Sequence, residues 1–123
     1  MTLYLAKADV LALAEGVLPS VRMRDAGQLH AAVLRPQTTA FGAEAYPTIW
    51  HKAAALLQSL IIGHPLIDGN KRLGWAATAF FLHLNGETLG HSDVDAAYAL
   101  VIAVTTGELD DVEEIAQALR KLP

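Results

Sequence analysis

Leu73 to Leu84 reads Leu-Gly-Trp-Ala-Ala-Thr-Ala-Phe-Phe-Leu-His-Leu, apolar almost all the way round at helical spacing. A helix with no polar face must lie inside the molecule, with other elements packed around it. Asn85-Gly86 then supplies a strong stop. The segment from Pro47 is similar: Trp50, Ala53, Ala54, Leu57, Ile61 and His64 fall at steps of three and four, so they share one face. Gly63 and Pro65 end that helix and leave His64 as its expected last inward residue. Two such segments predict an all-α protein with two buried central helices.

The remaining helices are weaker signals. Met1 to Leu18 takes helical spacing from about Lys7, and Pro19 ends it. Asp25 to Arg35 is a short helix with Ala26, Leu29 and Val33 on one face, His30 falling either on that face or on the helix surface, and Pro36 stops it. Ser92-Asp93-Val94-Asp95 resembles a capping box opening a nearly all-apolar helix over 96–104, which Gly107 ends. Asp110 to Glu113 caps a last amphipathic helix with Val112, Ile115, Ala116 and Leu119 inward and Arg120-Lys121 in its final turn. About six helices result. Between them Pro36 to Tyr46 is too irregular for a helix and reads as loop or extended chain, with Phe41 expected to anchor it to the core, the alternative being a surface presented to a peptide partner.

Composition narrows the function. The 123 residues make one domain, 1–123, able to bury roughly two-thirds of the surface of its unfolded chain. A net charge of −4 argues against broad phosphate neutralisation, so no nucleic acid is expected as a direct partner. With no cysteine there is neither a disulfide framework nor a thiolate metal site. His51, His83 and His91 lack metal-ligand spacing. No signal peptide is evident, and the apolar runs are shorter than the ~20 residues a membrane span needs, so a cytoplasmic protein without a membrane partner is expected.

Between the two apolar helices lies His64-Pro65-Leu66-Ile67-Asp68-Gly69-Asn70-Lys71-Arg72. Asp68 to Arg72 leads into a helix whose first amides lack partners and carry partial positive charge, which makes an anion site. Gly69 lets the backbone curl close to an anion. Lys71 adds a point charge, and Arg72 a planar fork suited to phosphate oxygens. Asn70 either caps the helix or binds the ligand. Asp68 has the wrong sign for a phosphate unless it holds Mg²⁺ shared with the phosphates; otherwise it caps the helix or pairs with Arg72. His64 is placed to act as a general base, or else satisfies a carbonyl as a buried histidine. The residues thus describe a cradle for a polyphosphate but name no reaction.

That stretch resembles the Fic motif, which runs His-Pro-Phe, a variable residue, an acid, Gly-Asn, Gly or Lys, and Arg, and it resembles most the death-on-curing (Doc) toxin branch. The likeness extends over roughly 34–86. It implies a compact Fic-like bundle of helices, in which 36–46 forms a flap that aligns a target peptide by backbone pairing. It implies that His64 takes the proton from a target hydroxyl, that Asp68 holds Mg²⁺, and that Gly69, Asn70, Lys71 and Arg72 bind the phosphates of ATP. Lys71 stands where members that transfer AMP carry a second glycine, and Trp75 where they carry a second arginine. In Doc-type members the nucleotide is reversed and the γ-phosphate moves, so Lys71 directs the expectation to a protein kinase acting on a threonine of elongation factor Tu and arresting translation. AMP transfer, or nucleotide and antitoxin binding without turnover, are the alternatives. Leu66 replaces the usual phenylalanine, which is expected to leave a smaller apolar anchor beneath the loop. No inhibitory helix with Ser or Thr four residues before a Glu-Gly or Glu-Asn pair is found, since Leu11 holds that place before Glu15-Gly16. The resemblance therefore implies control from outside, by a Phd-like antitoxin.

Overall fold

A computed structural model describes residues 1–123 and contains six α-helices and one two-stranded hairpin. The helices are α1 (Lys7–Val17), α2 (Ala26–Leu34), α3 (Ile49–Gly63), α4 (Asn70–Leu84), α5 (Val94–Thr106) and α6 (Val112–Arg120). The hairpin strands are β1 (Thr39–Ala40) and β2 (Ala43–Glu44), antiparallel, with Thr39 opposite Glu44 and Ala40 opposite Ala43.

The expected centre is present. Helix α3 packs chiefly on α4, and further on α6 and α2, while α1 lies on α4. On α3, Ala53, Ala54, Leu56, Leu57, Leu60 and Ile61 are buried, and on α4 Leu73, Ala77, Phe81 and Leu82 are buried. These join one core of 26 buried apolar residues to which every helix contributes. Gly74 lets α4 approach α3 closely, because a Cβ there would sit 3.2 Å from Ile61 Cγ1. Helix α4 is not wholly enclosed, however: Phe80 and His83 face outward.

Helix starts follow side-chain chemistry. Asp25 accepts from the Gln28 amide, Thr48 from His51, Asp93 from Ala96 and Asp111 from Glu113. Asp93, not Ser92, is therefore the cap of α5. At the other end of α2, Pro36 does not simply stop the helix but enters a 3₁₀ turn over Arg35–Gln37 and is itself buried. Asn85 does more than end α4, since its side chain binds both the N–H and the C=O of Leu3 and so ties the N-terminal strand of chain to the bundle.

Two expectations fail. Phe41 does not anchor its loop: it is fully exposed at the turn of the β1–β2 hairpin, with φ 53°. The hairpin is fastened instead at its stem, where Lys52 donates to Tyr46 O, and Arg35 donates to Tyr46 Oη (3.0 Å) and lies over its ring. His64 does not point inward. It caps α3 in the left-handed conformation (φ 50°, ψ 57°) and is exposed, because the reversal of chain direction carries it off the helical face that its spacing projected.

Candidate active site

The loop from His64 to Gly69 joins the two central helices, and its path is fixed from both sides. Leu66 is fully buried. Asn70 Oδ1 accepts from Leu66 N and Asn70 Nδ2 donates to Leu66 O, each at 2.9 Å. Both ends of that amide are engaged with Leu66, so Asn70 does not cap α4 through its side chain but ties it to the loop, while its backbone N–H is left for an anion. On the outer side, the segment before α2 runs along the loop. Arg24 N and Asp25 N donate to Pro65 O, Ile67 N donates to Arg22 O, and Met23 pairs with Leu66 as an isolated antiparallel bridge. The apolar anchor expected of Leu66 is thus present, reinforced by backbone bonds that the sequence did not reveal.

Gly69 begins α4 with φ 91°, a conformation that favours glycine, and a Cβ there would lie 2.7 Å from Leu18 Cδ2. No side chain caps this helix, unlike α2, α3, α5 and α6. The amides of Asn70, Lys71 and Arg72 consequently meet no acceptor in the protein, and the first bonded amide is Leu73 N, to Gly69 O at 2.9 Å. Asp68 neither caps α4 nor pairs with Arg72. Its Oδ1 accepts from Gly69 N at 2.9 Å, which leaves Oδ2 open.

His64, Asp68, Gly69, Asn70, Lys71 and Arg72 all line one cleft of about 820 Å³. Sequence reasoning therefore named residues that the fold does collect. It missed Ser20 and Arg22, which line the same cleft from the segment before α2, and the apolar wall of Val94, Ala97 and Tyr98 on α5. Nothing in local periodicity could place these, since their approach depends on how α1 and α5 pack. Trp75, the residue standing in the place of a second arginine, also borders the cleft. The wall is half apolar and the floor is a helix N-terminus flanked by Lys71 and Arg72, so the cleft suits a ligand with an anionic end and an apolar body. Asp68 would be the one protein carboxylate for a cation there, and no group of three His, Cys, Asp or Glu side chains elsewhere could hold a metal. One carboxylate with an open oxygen fits Mg²⁺ only if phosphates complete its shell.

An all-α bundle with a phosphate-suited helix N-terminus at the junction of its two central helices is the class that fold and site define. The Fic/DOC family model matches residues 4–82. The chain is also 50% identical over 112 residues to a protein called Toxin Doc of Mycolicibacterium smegmatis (strain ATCC 700084 / mc(2)155), a match covering 89% of this chain and 86% of the relative. The chain belongs to the Fic/DOC family. No helix is long and apolar enough to cross a membrane.

Proposed function

We propose that this chain is the toxin of a toxin–antitoxin pair and a protein kinase that moves the γ-phosphoryl group of ATP to a threonine hydroxyl of a translation factor, elongation factor Tu being the expected target. The observation that carries the reading is the trio of unpartnered amides at Asn70, Lys71 and Arg72, set in the same cleft as His64. The relative named Toxin Doc supports the toxin role, and a toxin of this kind implies an antitoxin, here expected to be Phd-like.

In this reading the target hydroxyl lies beside His64. The imidazole takes its proton as the hydroxyl oxygen bonds to the γ-phosphorus and the bond from that phosphorus to the β-phosphate oxygen breaks, giving phosphothreonine and ADP. The free amides of α4, with Lys71 and Arg72, bind phosphate oxygens and stabilise the charge that shifts during transfer. Asp68 would hold Mg²⁺ through its open oxygen, and the ion when bound supplies further neutralisation of the phosphates. Lys71 fills space and adds charge where AMP-transferring relatives have glycine, which favours presenting the γ-phosphate.

The test is transfer from ATP labelled at the γ or at the α phosphate to purified elongation factor Tu. Label from the γ position alone is expected. Label from the α position alone would replace the kinase by an AMP transferase.

A further inference from the structure

We propose that Arg24 is a positioning residue for His64, holding the two peptide planes that bracket it; this rests on the reading of His64 as the base. His64 is one of only two non-glycine residues with positive φ, the other being Phe41 at the hairpin tip. A left-handed backbone is strained for a residue with a Cβ and persists only where the surroundings enforce it. The last carbonyls of a helix also lack intrahelical donors. Arg24 answers both needs with one guanidinium. Its Nη2 donates to Gly63 O at 2.8 Å and its Nε to His64 O at 2.5 Å.

Those two carbonyls belong to the peptide units immediately before and after the His64 Cα, so their orientations define its φ and ψ. Pinning both fixes where the imidazole leaves the chain. The main chain of Arg24 extends the splint by donating to Pro65 O at 2.8 Å. No carboxylate lies within ion-pair distance of Arg24, so nothing competes for its fork. The two acceptors lie on successive residues and are met by nitrogens of one rigid plane. A lysine ammonium, a single point donor on a flexible stem, cannot hold both in that geometry.

The expected result follows from misplacement of a base by a fraction of an ångström to an ångström. Arg24→Lys, which keeps the charge, lowers kcat for transfer by about tenfold to a hundredfold while KM for ATP changes little, because the phosphate cradle on α4 is untouched. Arg24→Gln behaves alike. The second readout is the ¹⁵N-imidazole NMR signal set of the histidines, assigned to His64 by its loss in His64→Ala. In Arg24→Lys the His64 ring signals shift or broaden, while the unfolding temperature shows that the protein remains folded. Wild-type kcat in both Arg24 variants, alongside an inactive His64→Ala, would overturn the proposal. If His64→Ala retains transfer, it is the base reading that fails. The ring signals then decide on Arg24 alone, and unchanged signals in Arg24→Lys would overturn it.

Discussion

Three side chains in or beside the central loop have separable jobs, and each has its own consequence when changed. His64 is exposed and makes no side-chain hydrogen bond within the protein, so His64→Ala is expected to leave the unfolding temperature unchanged while transfer falls by about 10²–10⁴. Asn70 is the reverse case. Asn70→Ala strips partners from a buried N–H and a buried C=O of Leu66, each worth about 1–3 kcal/mol when left unsatisfied, so urea unfolding should show a loss of at least about 2 kcal/mol. Leu66 sits in a fully buried seat, so Leu66→Ala costs about 2–5 kcal/mol and Leu66→Phe, despite matching the family pattern, overpacks the seat at about 1–3 kcal/mol. The sequence displayed the chemical kinds needed for an anion site in nine consecutive residues, and the cleft does collect them. It did not show which atoms are free. Asn70 reaches back four residues to a loop whose path is set by the segment around Arg24, and His64 leaves the helical face through a left-handed turn that spacing does not encode.

At the scale of elements, the β1–β2 hairpin and the start of α6 are both held by polar side chains on or beside α3. Lys52 is almost fully buried, yet its ammonium is not free: it donates to Tyr46 O and pairs with Glu44 Oε1 at 3.2 Å. Arg35 grips the same tyrosine and also donates to Ala55 O, Gln58 Oε1 and Ser59 Oγ. Helical spacing gave no warning of either clamp, since a lysine in an apolar run reads as a solvent-facing break. Lys52→Met preserves the bulk and removes both contacts. Hydrogen exchange is expected to quicken by roughly tenfold or more at the hairpin amides and at Ala45 N, with little change in α3, since a hydrogen bond to a charged group is worth about 1.5–3 kcal/mol. Uniformly unchanged exchange would show that Lys52 does not hold the hairpin.

The tie between α3 and α6 runs through His51, which meets Thr48 Oγ through Nδ1 at 2.5 Å and donates to Glu113 through Nε2. That hydrogen bond first, and then one from Gln117, hold the Glu113 carboxyl below its ordinary value of 4.5. A depressed carboxylate stabilises the folded state above its unfolded pKa, and the contribution is lost as pH falls through the folded value. Wild type should therefore unfold at a higher temperature than Glu113→Gln above pH 4.5, and the two curves should converge as pH is lowered further. Because Glu113 is exposed, the separation is expected to be small and to shrink with added salt.

For the whole molecule, the two apolar segments that flank the loop marked the helices at the centre, but apolar character alone did not decide this, since the nearly all-apolar α5 leaves Val94 and Tyr98 exposed at the cleft. The cleft mouth was not legible, since α1, α5 and the segment before α2 border it through packing between distant parts of the chain. What emerges is a bundle whose two central helices meet at a loop, with three open amides and two cations at its end and His64 at its start, all lining one cleft. Mass spectrometry of elongation factor Tu after incubation with this protein, ATP and Mg²⁺ tests that account most directly, with His64→Ala run in parallel. The account predicts one added phosphoryl group on a threonine with the wild-type protein and none with His64→Ala. An added AMP group, or the same phosphorylation by His64→Ala, would contradict it.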